Sequence, residues 1–99
     1  MWTLLRATGE VIVPRAMPEL DPMLVALGAA IRSRRERLGL TQAALGLEIG
    51  ASQRRVWEWE HGRRDLRLVG SLAPLAVALR MSVTALLAAA ETELSDALR

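Results

Sequence analysis

The stretch GLTQAALGLEIGASQRRVWEWEHG, residues 39–62, decides the fold. Gly39 and Gly50 stand where helices stop, in a left-handed conformation that glycine adopts without a steric penalty. Thr41 and Ser52 follow these stops as N-cap residues, whose hydroxyls accept from backbone N–H groups of the next turn. Leu40 and Leu45 occupy the N′ and N4 positions of a hydrophobic staple. The spacing predicts two short helices, Gln42 to Ile49 and Gln53 to about Glu60, the second closed by His61-Gly62. Only Gly50-Ala51-Ser52 joins them. A link this tight forbids an antiparallel return and forces a steep crossing, the corner of a helix-turn-helix.

Upstream, Asp21 is a good N-cap and Pro22 fits the first helical position. Leu24, Leu27, Ile31 and Leu38 then mark one apolar stripe, so a first helix is expected to run to the Gly39 stop. Downstream, Val69, Leu72, Leu75, Ala76 and Leu79 have helical spacing, but Gly70 and Pro74 interrupt it. With Ser71 as the cap, Pro74 falls at N3, where its missing N–H matters little, and a fourth helix is expected from about Leu72 to Leu79. Ser82 caps a fifth. There Val83, Leu87, Ala90, Leu94 and Ala97 recur at alternating spacings of four and three, an a/d seam. The stripe runs on past residue 88, so Leu87, Ala90, Leu94 and Ala97 are expected to hold a homodimer; the other reading folds the stripe back on its own domain.

The fold class expected is therefore all-α: a five-helix domain over residues 22–88, a C-terminal helical extension over 89–99, and an N-terminal extension over 1–21. In the extension, Thr3 to Leu5 and Val11 to Val13 flank Thr8-Gly9 and suit a short β-hairpin, with a frayed tail as the alternative. Pro14, Pro18 and Pro22 then break the chain as a linker would, and Met17 and Met23 are alternative starts.

Composition removes several function classes. There is no cysteine and one histidine, so neither a thiol nucleophile nor a Cys/His metal cluster is available, and no cofactor is expected. No constellation of nucleophile, base and metal ligand stands out, so an enzyme is not expected. The longest uncharged run, Leu68 to Leu79, has 12 residues, short of the roughly 20 that span a bilayer. Trp2 to Leu5 meets Arg6 too soon for a secretory signal, so a cytoplasmic protein without membrane association is expected. All 13 basic residues are arginine. Residues 31–67 hold nine of them against five acids, while both flanks are slightly acidic, so an anionic partner would bind in the middle third.

The segment from Leu38 to Ser52, with its GLTQ opening and G-x-S turn, and Val56 to Gly62, with its E-x-G close, resembles the Xre or Cro/repressor-type helix-turn-helix family. The resemblance extends from about Leu24 to Leu87. It departs from the family pattern at Gly46, usually alanine, at Ala51, usually valine or isoleucine, and at Arg67, commonly proline. It implies a repressor-like domain whose third helix enters the major groove of double-stranded DNA. By family position Gln53, Arg54 and Glu58 would contact bases, a choice that suits their hydrogen-bonding groups. Gln42 matches the family glutamine that binds a phosphate, and Ser52, Arg55, Arg63 and Arg64 are further phosphate candidates. Arg35 and Glu60 would form an internal ion pair between the first helix and the end of the third. Trp57, where the family has a small or polar residue, is expected to cover a neighbouring helix. His61 is read as a helix C-terminal residue favoured by the dipole.

The function implied is a sequence-specific DNA-binding transcriptional regulator, with repression the expected mode. One rival is an antitoxin that binds DNA and a toxin or other protein partner. Another is a protein–protein adaptor that uses the fold without DNA.

Overall fold

The computed structural model describes residues 21–99 and two short strands, β1 (Leu4–Leu5) and β2 (Val11–Ile12). The strands pair antiparallel, with Leu4 opposite Ile12 and Leu5 opposite Val11, so the hairpin expectation is met in the backbone of those four residues. The proline linker at Pro14 and Pro18 and the alternative start at Met17 lie outside the described residues.

Five α-helices follow: α1 (Pro22–Arg37), α2 (Gln42–Ile49), α3 (Gln53–Glu60), α4 (Ala73–Ala78) and α5 (Val83–Ala97). Four of them start on the expected caps. Asp21 Oδ1 accepts from Met23 N at 2.8 Å, Thr41 Oγ1 from Ala44 N at 3.0 Å, Ser52 Oγ from Arg55 N at 3.1 Å and Ser82 Oγ from Ala85 N at 3.0 Å. Each bond satisfies one of the backbone donors that a helix start leaves open.

The start of α4 differs from expectation. Ser71 is not its cap. A π-helical turn, Leu68–Leu72, leads into it, and Ala73 N donates to Leu68 O five residues back. Pro74 explains the difference: it has no N–H to give, and in an α-turn its ring would crowd the Gly70 carbonyl. A wider turn just before the proline relieves that crowding and brings the helical path forward to Leu68.

The core gathers one face from every helix. Ile31 of α1, Leu45 of α2, Val56 of α3, Leu75 and Leu79 around α4, and Leu86 and Ala90 of α5 are all fully buried. α1 packs against both α5 and α3. At the α1–α3 crossing the backbones touch. A Cβ on Gly28 would collide with the carbonyl oxygens of Trp59 and, at 2.6 Å, Glu60. At the α2–α3 corner a Cβ on Gly46 would lie 2.5 Å from the Ala51 carbonyl oxygen, whose own N–H donates to Gly46 O at 2.8 Å. The departure at Gly46 thus follows from the depth of the corner in this chain.

α5 corrects the expected seam. The helix is unbroken at residue 88, and Ala90 belongs to the chain's own core, fully buried. Leu87 packs against the same core and Leu94 is half-buried, so much of the a/d stripe is spent on the protein's own body. Ala97 remains exposed, as does Leu98 at 78%. Heptad spacing states that a helix has an apolar stripe, and α1 is the first surface to cover it. Arg34 of α1 holds the far end of α4: its Nε donates to Leu79 O at 2.9 Å and its Nη2 to Arg80 O at 3.3 Å. Among the described residues no single helix is long and apolar enough to cross a membrane.

Candidate nucleic-acid interface

α3 divides its residues between two surfaces. Val56, Trp59 and Glu60 face inward and are buried. Gln53, Arg54 and Arg55 are exposed along its first turn. Two guanidiniums and one amide therefore stand exposed at one helix N-terminus, where backbone donors also favour an anion. Arg63 is exposed in the loop after the helix, and no hydrogen bond ties its side chain or that of Arg54 or Arg55 among the described residues.

Glu58 and Arg64 are brought together. Arg64 Nε donates to Glu58 Oε1 at 3.0 Å, so a base candidate and a phosphate candidate share an ion pair. Glu58 is half-buried under this contact. Ser52 is exposed and uses Oγ as an acceptor for its own helix, which leaves its O–H free to donate outward.

Behind this face lies the Arg35–Glu60 pair expected from the sequence. Arg35 Nε and Glu60 Oε2 are 2.5 Å apart, and Arg35 Nη2 donates to Glu60 Oε1 at 3.1 Å. A third donor, Nη1, reaches Leu40 O at 2.7 Å and so ties the end of α1 to the start of α2. The Glu60 side chain is wholly inaccessible and that of Arg35 nearly so. The hydrogen bonds that Arg35 donates to Glu60 hold its pKa above the ordinary arginine value; burial opposes this, and the charges of Glu60 and Glu36 add to it. A cationic group with a raised pKa stabilises the fold at every pH below its unfolded value, and the gain fades only as pH rises through the folded one. This guanidinium therefore imposes no pH dependence near neutrality.

Glu60 also reaches the outer face, which the sequence reading missed. Gln42 Nε2 donates to Glu60 Oε1 at 3.0 Å. The glutamine at the start of α2 is thus held from behind by the buried pair, with its remaining amide N–H and its carbonyl left over for an outside partner. The contact spans 18 residues and two helices, so no local spacing could have disclosed it.

Trp57 is a second residue that the sequence misplaced. It is 39% exposed, more open than a tryptophan laid chiefly over a neighbouring helix would be. Val56 and Trp59 take the inward face, and position 57 is rotated out of it. Its ring stacks instead on His61, with centroids 4.1 Å apart and planes inclined by 19°. Gln42, Gln53, Arg54 and Trp57 line one shallow cleft of about 330 Å³ between the starts of α2 and α3. His61, at the end of α3, carries the expected C-terminal contact: Nδ1–H donates to Trp57 O at 2.8 Å. No group of three or more His, Asp or Glu residues that could hold a metal ion occurs among the described residues.

No family model matches the sequence, and no curated protein matches it significantly. Solved structures do. The clp gene regulator ClgR from Corynebacterium glutamicum superposes with a TM-score of 0.71 at 31% identity, over 78% of this chain and 81% of that one. The restriction-modification controller protein C.AhdI from Aeromonas hydrophila does so with a TM-score of 0.60 at 33% identity, over 64% and 94%. A likeness to FeII HppE, TM-score 0.60 at 30% identity, covers 64% of this chain but only 36% of that protein.

Proposed function

The chain belongs to the Xre-type helix-turn-helix regulators, and on that premise we propose that it represses transcription by binding double-stranded DNA in a sequence-specific manner. The observation that carries this reading is the outer face of α3, where Gln53, Arg54 and Arg55 stand exposed at a helix start beside Gln42. α3 lies in the major groove. Gln53 and Arg54 read base edges there, since glutamine matches adenine and arginine matches guanine. Glu58 contributes less freely, because a base must compete with Arg64 for its carboxylate. Gln42, Ser52, Arg55 and Arg63 fix the register on phosphates, and Arg64 joins them when it leaves Glu58. The site of action is the cytoplasm, where such a DNA partner lies.

Selection of bound sequences from a random duplex pool tests the reading. A regulator returns a motif, whereas an adaptor enriches nothing. Two variants then separate reading from anchoring. Arg54→Ala should cost about 1–3 kcal/mol at one base pair and relax preference there. Arg63→Ala should weaken all duplexes alike and reduce the slope of log affinity against log salt by about 0.9. A uniform loss from Arg54→Ala would make that residue a phosphate contact instead.

The regulator acts as a homodimer. Ala90 is excluded from the contact by its burial, and the surface available on α5 is Leu94, Ala97 and the exposed Leu98, with Leu87 contributing an edge. A two-fold pair would set two α3 helices about 34 Å apart, one helical turn of DNA. Leu98→Glu should shift sedimentation toward monomer and weaken a palindromic operator far more than a half-site. Wild-type protein that sediments as a monomer even on its operator ends this proposal.

A further inference from the structure

On the DNA-reading role of α3, we propose that Trp57 is a positioning residue for specificity: its indole holds the Arg54 guanidinium in the orientation that reads a guanine. Arg54, Trp57 and His61 fall at i, i+3 and i+7 and form one stripe along the flank of α3. The Arg54 Cζ lies over the Trp57 ring, 5.8 Å from its centroid, inside the range of about 6 Å where a cation is attracted to an aromatic face. His61 stacks on the same ring at 4.1 Å, and its Nδ1–H donates to the Trp57 carbonyl oxygen at 2.8 Å. The imidazole is thus fixed to the helix end and limits how far the indole can swing.

Charge placement works in the same direction. The natural partner of Arg54 on a helix is an acid four residues on, and Glu58 stands there. Glu58 Oε1 instead accepts from Arg64 at 3.0 Å, so Arg54 rests on Trp57 rather than in that ion pair. A guanidinium stacked before DNA arrives has less rotamer freedom to lose when it engages a base, which is how preorganisation raises affinity. An exposed tryptophan adds little to the core, and this one opens into the cleft shared with Gln42 and Gln53.

The test is selection from a random duplex pool with full-length wild type, Trp57→Ala, Trp57→Phe, Arg54→Ala and the Arg54→Ala/Trp57→Ala double variant, each first shown to be helical and to melt cooperatively. Trp57→Ala should lower the guanine preference at the Arg54 base pair by roughly two- to fivefold while binding to random duplex and its salt slope stay unchanged. Trp57→Phe, which keeps an aromatic face, should restore most of that preference. At that base pair the double variant should be no worse than Arg54→Ala alone. Should Trp57→Ala not fold, Trp57→Leu carries the same comparison. An unchanged guanine preference without the indole, or independent and additive losses in the double variant, overturns the proposal while the DNA reading stands. Wild type that enriches no motif overturns both.

Discussion

Replacing Glu60 with alanine should destabilise the protein by about 3–5 kcal/mol, because it strands the Arg35 guanidinium in a buried site. The carboxylate accepts from Arg35 through both oxygens and from Gln42 as well, and its side chain has no solvent access. Domains of this size have total stabilities on the order of 5–15 kcal/mol, so the variant should lie close to its unfolding threshold. Urea titration followed by far-ultraviolet circular dichroism measures the change. Glu60→Gln should lose less, since it keeps the volume and one acceptor. Replacing both partners with apolar residues, Arg35→Met with Glu60→Leu, should recover much of the loss. Recovery will be incomplete, because the Leu40 carbonyl would lose its partner at 2.7 Å. A midpoint for Glu60→Ala within experimental error of wild type would mean that the pair contributes no more than a surface contact.

Gly28→Ala should also be strongly destabilising, against the direction that helix propensity alone gives. In an exposed helix interior alanine is favoured over glycine by about 0.8–1.0 kcal/mol. Gly28 is buried where α1 crosses α3, and an added methyl would meet the Trp59 carbonyl oxygen and the Glu60 carbonyl carbon at 2.7 Å. These are backbone atoms with no rotamer to change, so the helices must separate. Overpacking of this kind costs about 1–3 kcal/mol and sometimes more. Separation also pulls Glu60 away from Arg35, which couples the two effects. Thermal melts should show a clearly lowered midpoint for Gly28→Ala, whereas a raised one would show that the crossing yields easily.

Local chemistry was legible in the sequence, and nonlocal choice among surfaces was not. Asp21, Thr41, Ser52 and Ser82 could be read as caps because each bonds a backbone donor two or three residues ahead. The Arg35–Glu60 pair came from the family resemblance, and the geometry agrees with it. Pro74 announced a difficulty but not its solution, since a π turn before it was one of several ways to avoid a clash. The α5 stripe was visible, but spacing cannot say whether α1 or a second chain covers Ala90. Trp57 was assigned by the average habit of its residue type, and the inward positions of Val56 and Trp59 overrode that habit. Gln42 was singled out for an outside anion, while its bond to Glu60 joins positions distant in the chain.

If α3 reads DNA as proposed, that bond sets how operator preference can be rewritten. Gln53 and Arg54 touch neither the core nor the buried pair, so their identities can be exchanged as letters without disturbing the type that prints them. Gln42 is not free in this way, because a change there alters what Glu60 holds, and Glu60 is where α1, α2 and α3 are fastened. Variants with new DNA preferences should therefore accumulate substitutions at the start of α3 and retain glutamine at the start of α2. The same helix-turn-helix contains a replaceable alphabet and a fixed frame, and the boundary between them runs between two neighbouring helix starts.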